Sequence, residues 1–117
     1  MKPDITTRAD VEKIVNQQYK DLLADADTAP VFKNTNLPHH LPHIYEFWSF
    51  IILGDDYSYK RNAFEKHVPL GLKEIHFTKW LQFFHNAVNE NFEGPNAEKA
   101  NAQADLFGII FKSKLLK

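Results

Sequence analysis

Apolar residues recur every three or four positions along most of the chain, which is the spacing of one face of an α-helix. The first such segment follows Thr7, and Thr7 together with Asp10 matches a capping box at a helix start. Its predicted apolar face consists of Val11, Ile14, Val15, Tyr19, Leu22 and Leu23. Because Tyr19 lies on that face, its hydroxyl must find a hydrogen-bond partner in the interior.

Three more long helices are expected. The second begins between His39 and Pro42 and ends at Gly54, with a stripe of His40, Ile44, Phe47 and Ile51 flanked by Trp48 and Ile52. The third runs from about Lys73 to Asn91 with a stripe of Phe77, Trp80, Leu81, Phe84, Ala87 and Val88. The last follows the break at Gly94-Pro95 and has an apolar side of Ala97, Ala100, Ala104, Phe107, Ile110 and Phe111.

The intervening segments are predicted from their proline and polar content. Pro30-Val31-Phe32 forms a tight corner with an apolar Phe, residues 34–38 form a loop, and a short helix spans about 61–68 before Pro69 and Gly71. No segment alternates strictly between apolar and polar residues, so strands are not supported. The sequence therefore predicts an all-α fold in a single domain over residues 1–117.

Composition and charge narrow the function classes. The net charge of −1 gives no electrostatic footprint for nucleic acid or an anionic membrane. No apolar run approaches the ~20 residues that span a bilayer, and the first four residues lack the apolar core of a signal peptide. The absence of cysteine excludes disulfides and thiol chemistry. We therefore expect a cytoplasmic protein with no nucleic-acid or membrane partner.

Six histidines suggest a metal site, but the patterns of known metalloenzymes are missing. His39 and His43 have the spacing of a helical zinc pair, yet His40 stands where a zincin requires Glu. No Glu has a His three residues later, as a di-iron bundle requires. The four glycines are scattered, so a phosphate loop is absent as well.

A different arrangement brings polar and aromatic residues together. Three of the predicted stripes include one polar or basic member each: Tyr19, His40 and Trp80. If His67 approached from the opposite side, a flat pocket lined by Phe32, Phe47 and Phe64 would lie between them, and a haem fits that description. The same aromatic stripes also fit an ordinary hydrophobic core, and spacing alone does not decide between the two.

The order of several motifs resembles that of group III truncated haemoglobins. They are Tyr19, Pro30-Val31-Phe32, His40-x-x-x-Ile44-x-x-Phe47-Trp48, Ile52-Leu53-Gly54, Phe64-Glu65-Lys66-His67 and His76-Phe77-x-x-Trp80-Leu81. The resemblance covers residues 8–111 and implies a two-over-two helical sandwich that binds haem b. The glycine pairs of groups I and II are missing, which also fits group III.

The resemblance implies a role for each matching position. His67 is the proximal iron ligand, Phe32 packs on the haem, and the distal side consists of Tyr19, His40, Ile44 and Trp80. Phe47 and Phe64 complete the pocket walls. Candidates to hold the haem propionates are Arg61, Lys66, His43 and His76.

Three functions then remain open. The first is a globin that binds dioxygen, nitric oxide or carbon monoxide with high oxygen affinity. The second is a nitric oxide dioxygenase or peroxidase, which needs an external reductase because no flavin or nicotinamide site is visible. The third is a helical interaction domain without haem.

Overall fold

The computed structural model describes residues 2–33, 37–54 and 73–115, with no side chains for 37–40, 111, 114 and 115. Five helices span these residues: α1 (Arg8–Ala24), α2 (Ala29–Phe32), α3 (Leu37–Leu53), α4 (Glu74–Asn91) and α5 (Pro95–Leu115). None of the described residues forms a strand. The all-α prediction is confirmed.

Helix α1 begins as the sequence predicts. The Thr7 hydroxyl accepts from the Asp10 N–H at 3.2 Å, and the Asp10 carboxylate accepts from the Thr7 N–H at 3.1 Å. The predicted face is buried except for Leu23, which is 39 % exposed, and Gln18 is buried in its place. At 100° per residue Leu23 lies on the outer edge of this face and Gln18 near its centre, so the prediction for Leu23 is wrong.

The segment after α1 forms one helical turn, α2, and not a simple corner. Pro30 is the second residue of α2, where its missing N–H costs no hydrogen bond. The buried Thr28 hydroxyl donates to the Leu22 carbonyl at 2.6 Å, which ties the turn back to α1. Phe32 is thereby directed into the core.

Helix α3 begins earlier than predicted, and the residues on its buried face differ from those predicted. It starts at Leu37, because Pro38 is tolerated in a first turn, and it continues through Pro42. Ile44, Trp48 and Ile52 are buried, whereas Phe47 and Ile51 are half-buried. The prediction that Phe47 and Ile51 form the centre of the face is wrong, because the large Trp48 ring is the one that stacks on α4. The helix ends before Gly54, which has a positive φ of 76°.

Helices α4 and α5 match their predicted bounds closely. Lys73 is the N-cap of α4, and α5 restarts the chain at Pro95. The buried face of α5 is made of Ala97, Ala100 and Ala104, with Phe107 half-buried. The predicted short helix at 61–68, residues 34–36 of the predicted loop and the Phe111 side chain lie outside the described residues; residues 37 and 38 of that loop belong to α3, so this part of the loop prediction is wrong.

The four long helices form two stacked pairs. Within the pairs α1 contacts α3, and α4 contacts α5. Across the layers α1 packs on α4, and α3 packs on α5. This arrangement is the expected two-over-two helical sandwich. None of the described helices is both long enough and apolar enough to cross a membrane.

Residues 2–5, here called the N-terminal strap, lie against the turn between α4 and α5. The Pro3 carbonyl accepts from the Glu93 N–H at 2.9 Å. The Asp4 carboxylate accepts from the N–H groups of Asn96 (3.0 Å) and Ala97 (2.9 Å), and so caps α5. A Cβ at Gly94 would come within 2.7 Å of Asp4, so this position requires glycine both for space and for its φ of 134°.

Candidate functional site

Tyr19 and Trp80 meet where α1 packs on α4. Tyr19 is 8 % exposed, and the Trp80 side chain lies close enough to its hydroxyl to lower the pKa of that group against the effect of burial. Since an indole nitrogen can only donate, the phenolic oxygen of Tyr19 faces it as an acceptor. The buried Tyr19 and the half-buried Trp80, which the sequence placed on separate helices, therefore meet, and the Tyr19 hydroxyl has its own proton to donate.

Burial dominates the ionisation of Tyr19. Loss of solvation raises the pKa of Tyr19 from 10.0 to about 12, although the Trp80 side chain acts in the opposite direction. The phenol is therefore neutral throughout the physiological range. A neutral phenol in an apolar site is a hydrogen-bond donor of fixed position that adds no buried charge.

Apolar rings surround this pair on two sides. The Phe32 ring meets the Tyr19 ring edge-on at a centroid distance of 6.0 Å. The Trp80 ring lies parallel to Phe84 at 6.2 Å, and Phe84 stacks on Trp48 at 4.5 Å. The pair therefore stands at one end of a row of aromatic rings that reaches from α4 to α3.

Other predicted pocket residues on α3 take different positions. Ile44 is buried in the same core cluster as Tyr19 and Phe32. The Phe47 ring packs against Phe107 of α5 at 5.0 Å, so it faces the α3–α5 layer contact. His43 is half-buried. The backbone of His40 lies in α3, but its side chain lies outside the described residues.

His76 has a structural role at the start of α4. It is buried, and its Nδ1 accepts from the Lys73 N–H at 2.8 Å. Because that nitrogen is occupied as an acceptor, the neutral ring carries its proton on Nε2. Nε2 is then the one ring donor that His76 could offer to a propionate.

A salt-bridge cluster holds α2 close to α4. Lys79 Nζ lies 2.9 Å from the Asp25 carboxylate and 2.7 Å from that of Asp27. The hydrogen bond from Lys79 lowers the pKa of Asp25. Lys79 is adjacent to Trp80, and Asp25 is three residues before Thr28, so this cluster fixes the approach of the segment that carries Phe32. The sequence gave no signal for the contact of Lys79 with Asp25 and Asp27, because charged residues outside the apolar stripes are expected to face solvent.

Gln18 is a second feature that sequence reasoning missed. It is fully buried, and its Nε2 donates to the backbone carbonyl of Trp80 at 2.9 Å. Its Oε1 has no hydrogen-bond partner in the described part of the chain. The available signal was a glutamine in the middle of an apolar face, between Val15 and Tyr19.

Several candidate residues cannot be placed. The proposed iron ligand His67, the wall residue Phe64 and the propionate candidates Arg61 and Lys66 lie outside the described residues. Within residues 2–33, 37–54 and 73–115, no three His, Asp or Glu side chains come together as a metal site.

Comparisons with known proteins identify the family. The sequence profile of the bacterial-like globins matches residues 4–108. The crystal structure of group III truncated hemoglobin from Campylobacter jejuni matches with a TM-score of 0.82 and 21 % identity, covering 98 % of this chain and 95 % of that one. No curated protein matches the chain. The likeness to the solved structure shows a shared fold, and the profile match over most of the sequence shows that this chain belongs to the bacterial-like globin family.

Proposed function

We propose that this globin binds one haem b per chain and uses it to hold a diatomic ligand, with dioxygen as the main candidate. The observation that supports this most directly is the Tyr19–Trp80 pair, a neutral buried donor set surrounded by aromatic rings. When bound, haem supplies an open coordination position at which dioxygen, nitric oxide or carbon monoxide can bind. The group III assignment rests on the motifs in the sequence and on the shared fold.

The residues present fit the distal half of a haem pocket. A porphyrin needs flat apolar walls, which Phe32 and Ile44 offer beside Tyr19. A polar diatomic ligand needs a hydrogen-bond donor, and the buried Tyr19 hydroxyl, whose raised pKa keeps it protonated, is such a donor. We propose that Tyr19 is the direct donor to the ligand and that Trp80 acts through Tyr19.

The size of this effect follows from hydrogen-bond energetics. A hydrogen bond to a charged acceptor is worth roughly 1.5–3 kcal/mol, so one donor slows ligand escape by about 10- to 150-fold. Ile44 has no donor, which leaves this stabilisation to α1 and α4. High oxygen affinity with slow release is therefore part of the proposal, and storage or transport of dioxygen is not its main task.

The other assignments follow from the family resemblance. We propose His67 as the axial iron ligand and His40 as a further distal residue. Phe32, Phe47 and Phe64 would form the walls, and the propionates would be held by a subset of Arg61, Lys66, His43 and His76.

The experiment that tests the proposal is the haem spectrum of the purified chain and of His67→Gly. We expect a Soret band in the parent protein, and loss of haem in the variant with recovery on addition of imidazole. His85→Gly is the matched control, because the His85 ring is bonded to Asn101 and Asp105 between α4 and α5; it should keep the spectrum.

Two results would count against the proposal. A parent protein without a Soret band after reconstitution would favour a helical interaction domain without haem. An unchanged ferrous spectrum of His67→Gly without imidazole would show that another residue binds the iron.

The same pair supports a second candidate, a redox enzyme acting on nitric oxide or peroxide. A donor that holds dioxygen strongly also polarises it, and a bound peroxide would be polarised in the same way. An external electron donor is then required. The test mixes the dioxygen-loaded protein with nitric oxide, and the ferric protein with peroxide; rapid dioxygen release with neither reaction would leave ligand binding alone.

A further inference from the structure

We propose that Gln18 is a positioning residue of the ligand pocket, which fixes the backbone of Trp80 so that the indole N–H meets Tyr19. This inference rests on the proposed ligand-binding function. The relevant juxtaposition is that Gln18 and Tyr19 are neighbours on α1 and both face Trp80 on α4: Gln18 Nε2 donates to the Trp80 carbonyl at 2.9 Å, and the Trp80 side chain lies beside the Tyr19 hydroxyl.

Two attachment points constrain Trp80 more than one does. The bond from Gln18 Nε2 to the Trp80 carbonyl fixes the position of the Trp80 backbone along the α1–α4 contact. The near-parallel stack of the indole on Phe84, at a centroid distance of 6.2 Å, then fixes the direction of its ring beside Tyr19. Hydrogen-bond energy falls steeply with distance and angle, so a small slide of α4 along α1 would weaken the interaction between Tyr19 and Trp80.

The chemistry of Gln18 argues against a purely structural role. The Trp80 carbonyl lies inside α4, where the N–H four residues later already satisfies it. The backbone therefore does not need Gln18. Meanwhile Gln18 Oε1 is buried without a partner in the described residues, which an apolar side chain of the same size would avoid. An amide at position 18 therefore helps to position Trp80 but lowers the stability of the fold.

The test replaces Gln18 with methionine, which has a similar volume and no amide donor. We expect the indole ¹⁵N–H resonance of Trp80 to shift and dioxygen dissociation to become about three- to tenfold faster, as for loss of one neutral hydrogen bond. Stability toward urea should stay equal or rise. The Trp80 signal is distinguished from that of Trp48 by its absence in Trp80→Phe.

A double-mutant cycle separates positioning from general loosening. If Gln18 acts through the indole, Gln18→Met should add little to dioxygen dissociation in a Trp80→Phe background. Gln17→Met is the matched control, because Gln17 is the preceding glutamine and bonds to Glu90 and Asn91 of α4 at a different level. It should leave the indole resonance and ligand dissociation unchanged.

An unchanged Trp80 resonance in Gln18→Met, or additive effects in the cycle, would overturn the inference. If the chain bound no haem, the proposed function would fail while the indole resonance still tested Gln18. Should Gln18→Met not fold, Gln18→Glu serves instead. Because burial raises the pKa of a carboxyl at this position, its protonated form donates to the Trp80 carbonyl at neutral and acidic pH, so the Trp80 resonance should match the parent there and depart from it as rising pH ionises the carboxyl.

Discussion

The N-terminal strap and the Tyr19–Trp80 contact both join distant parts of the chain through polar groups. The two regions differ in how deeply these groups are buried and in how fully they are hydrogen-bonded. At the strap, the Asp4 carboxylate accepts from three backbone N–H groups, those of Ile5, Asn96 and Ala97. At the Tyr19–Trp80 contact the polar groups are more deeply buried, and Gln18 Oε1 has no partner among the described residues.

This difference indicates what each region is for. Satisfied polar groups near the surface stabilise a fold at little desolvation cost. Buried polar groups with spare hydrogen-bonding capacity destabilise it, unless they later meet a ligand. The strap is therefore a structural contact, whereas the Tyr19–Trp80 contact is the place where the proposed function requires an additional polar atom.

The largest expected difference between the regions appears at alkaline pH. The pKa of Tyr19 is raised to about 12 in the native state against 10.0 ordinarily, so the native phenol holds its proton more tightly. Its contribution to stability is fully present below pH 10 and is lost as the pH rises through 12, a change of about 3 kcal/mol. Urea unfolding from pH 9 to 12 should show this loss in the parent and a smaller one in Tyr19→Phe.

Tyr45→Phe is the control for this experiment. Tyr45 is half-buried and bonds to Asn16, and burial raises its pKa as well. It should retain most of the alkaline loss seen in the parent protein. Equal losses in the parent and in Tyr19→Phe would mean that Tyr19 does not differ from the other tyrosines.

The next effect concerns ligand release. Tyr19→Phe should speed dioxygen dissociation at least about tenfold, because it removes the hydroxyl donor and keeps the ring against Phe32. Carbon monoxide, which is less polar when bound, should respond less. Flash photolysis and stopped-flow mixing measure both rates, and equal changes would show that Tyr19 acts through pocket shape.

The smallest effect is expected at the strap. Asp4→Ala removes the cap of α5 and should lower the free energy of unfolding by about 1–2 kcal/mol, with ligand dissociation unchanged. Burial raises the pKa of Asp4, but the bonds from Asn96, Ile5 and Ala97 outweigh it and lower the pKa below 3.8. The stabilisation should therefore persist above pH 4 and disappear as the pH falls through the native pKa.

Asp105→Ala offers a comparison, since Asp105 is an exposed carboxylate on α5 that bonds to the side chain of His85. Asp105→Ala should lower the free energy of unfolding by less than Asp4→Ala does. A change in the rate of ligand dissociation caused by Asp4→Ala would contradict the view that the strap serves stability alone.

The helices could be predicted from the sequence because their ends have local chemical signals. Thr7 with Asp10, Gly54 and Gly94-Pro95 each mark a helix boundary that the structure shares. The rotation of each helix was predicted less well, as Leu23 and Phe47 illustrate. Periodicity gives the centre of an apolar face only to within about one residue, and the neighbouring helix decides the rest.

The sequence indicated which residues belong to the candidate site, but it did not indicate which of them contact each other. Tyr19 and Trp80 stood out as polar members of apolar stripes, yet nothing local states that one would contact the other across 60 intervening residues. The place of Gln18 in an apolar face signals its burial but not its partner, since any residue type presents the same backbone acceptor. His67 remains a prediction.

The N-terminal strap also has a consequence for the newly made chain. Its bond from Glu93 to Pro3 cannot form until residue 93 has been synthesised, roughly 5 to 19 s after residue 1 at ordinary elongation rates. During that interval the segments of α1 and α3 have been synthesised, while the parts of their apolar faces that pack on α4 and α5 in the folded chain have no completed partner. The nascent chain therefore keeps these faces exposed until α5 is also complete, although the strap can already close over the turn at Gly94 before then.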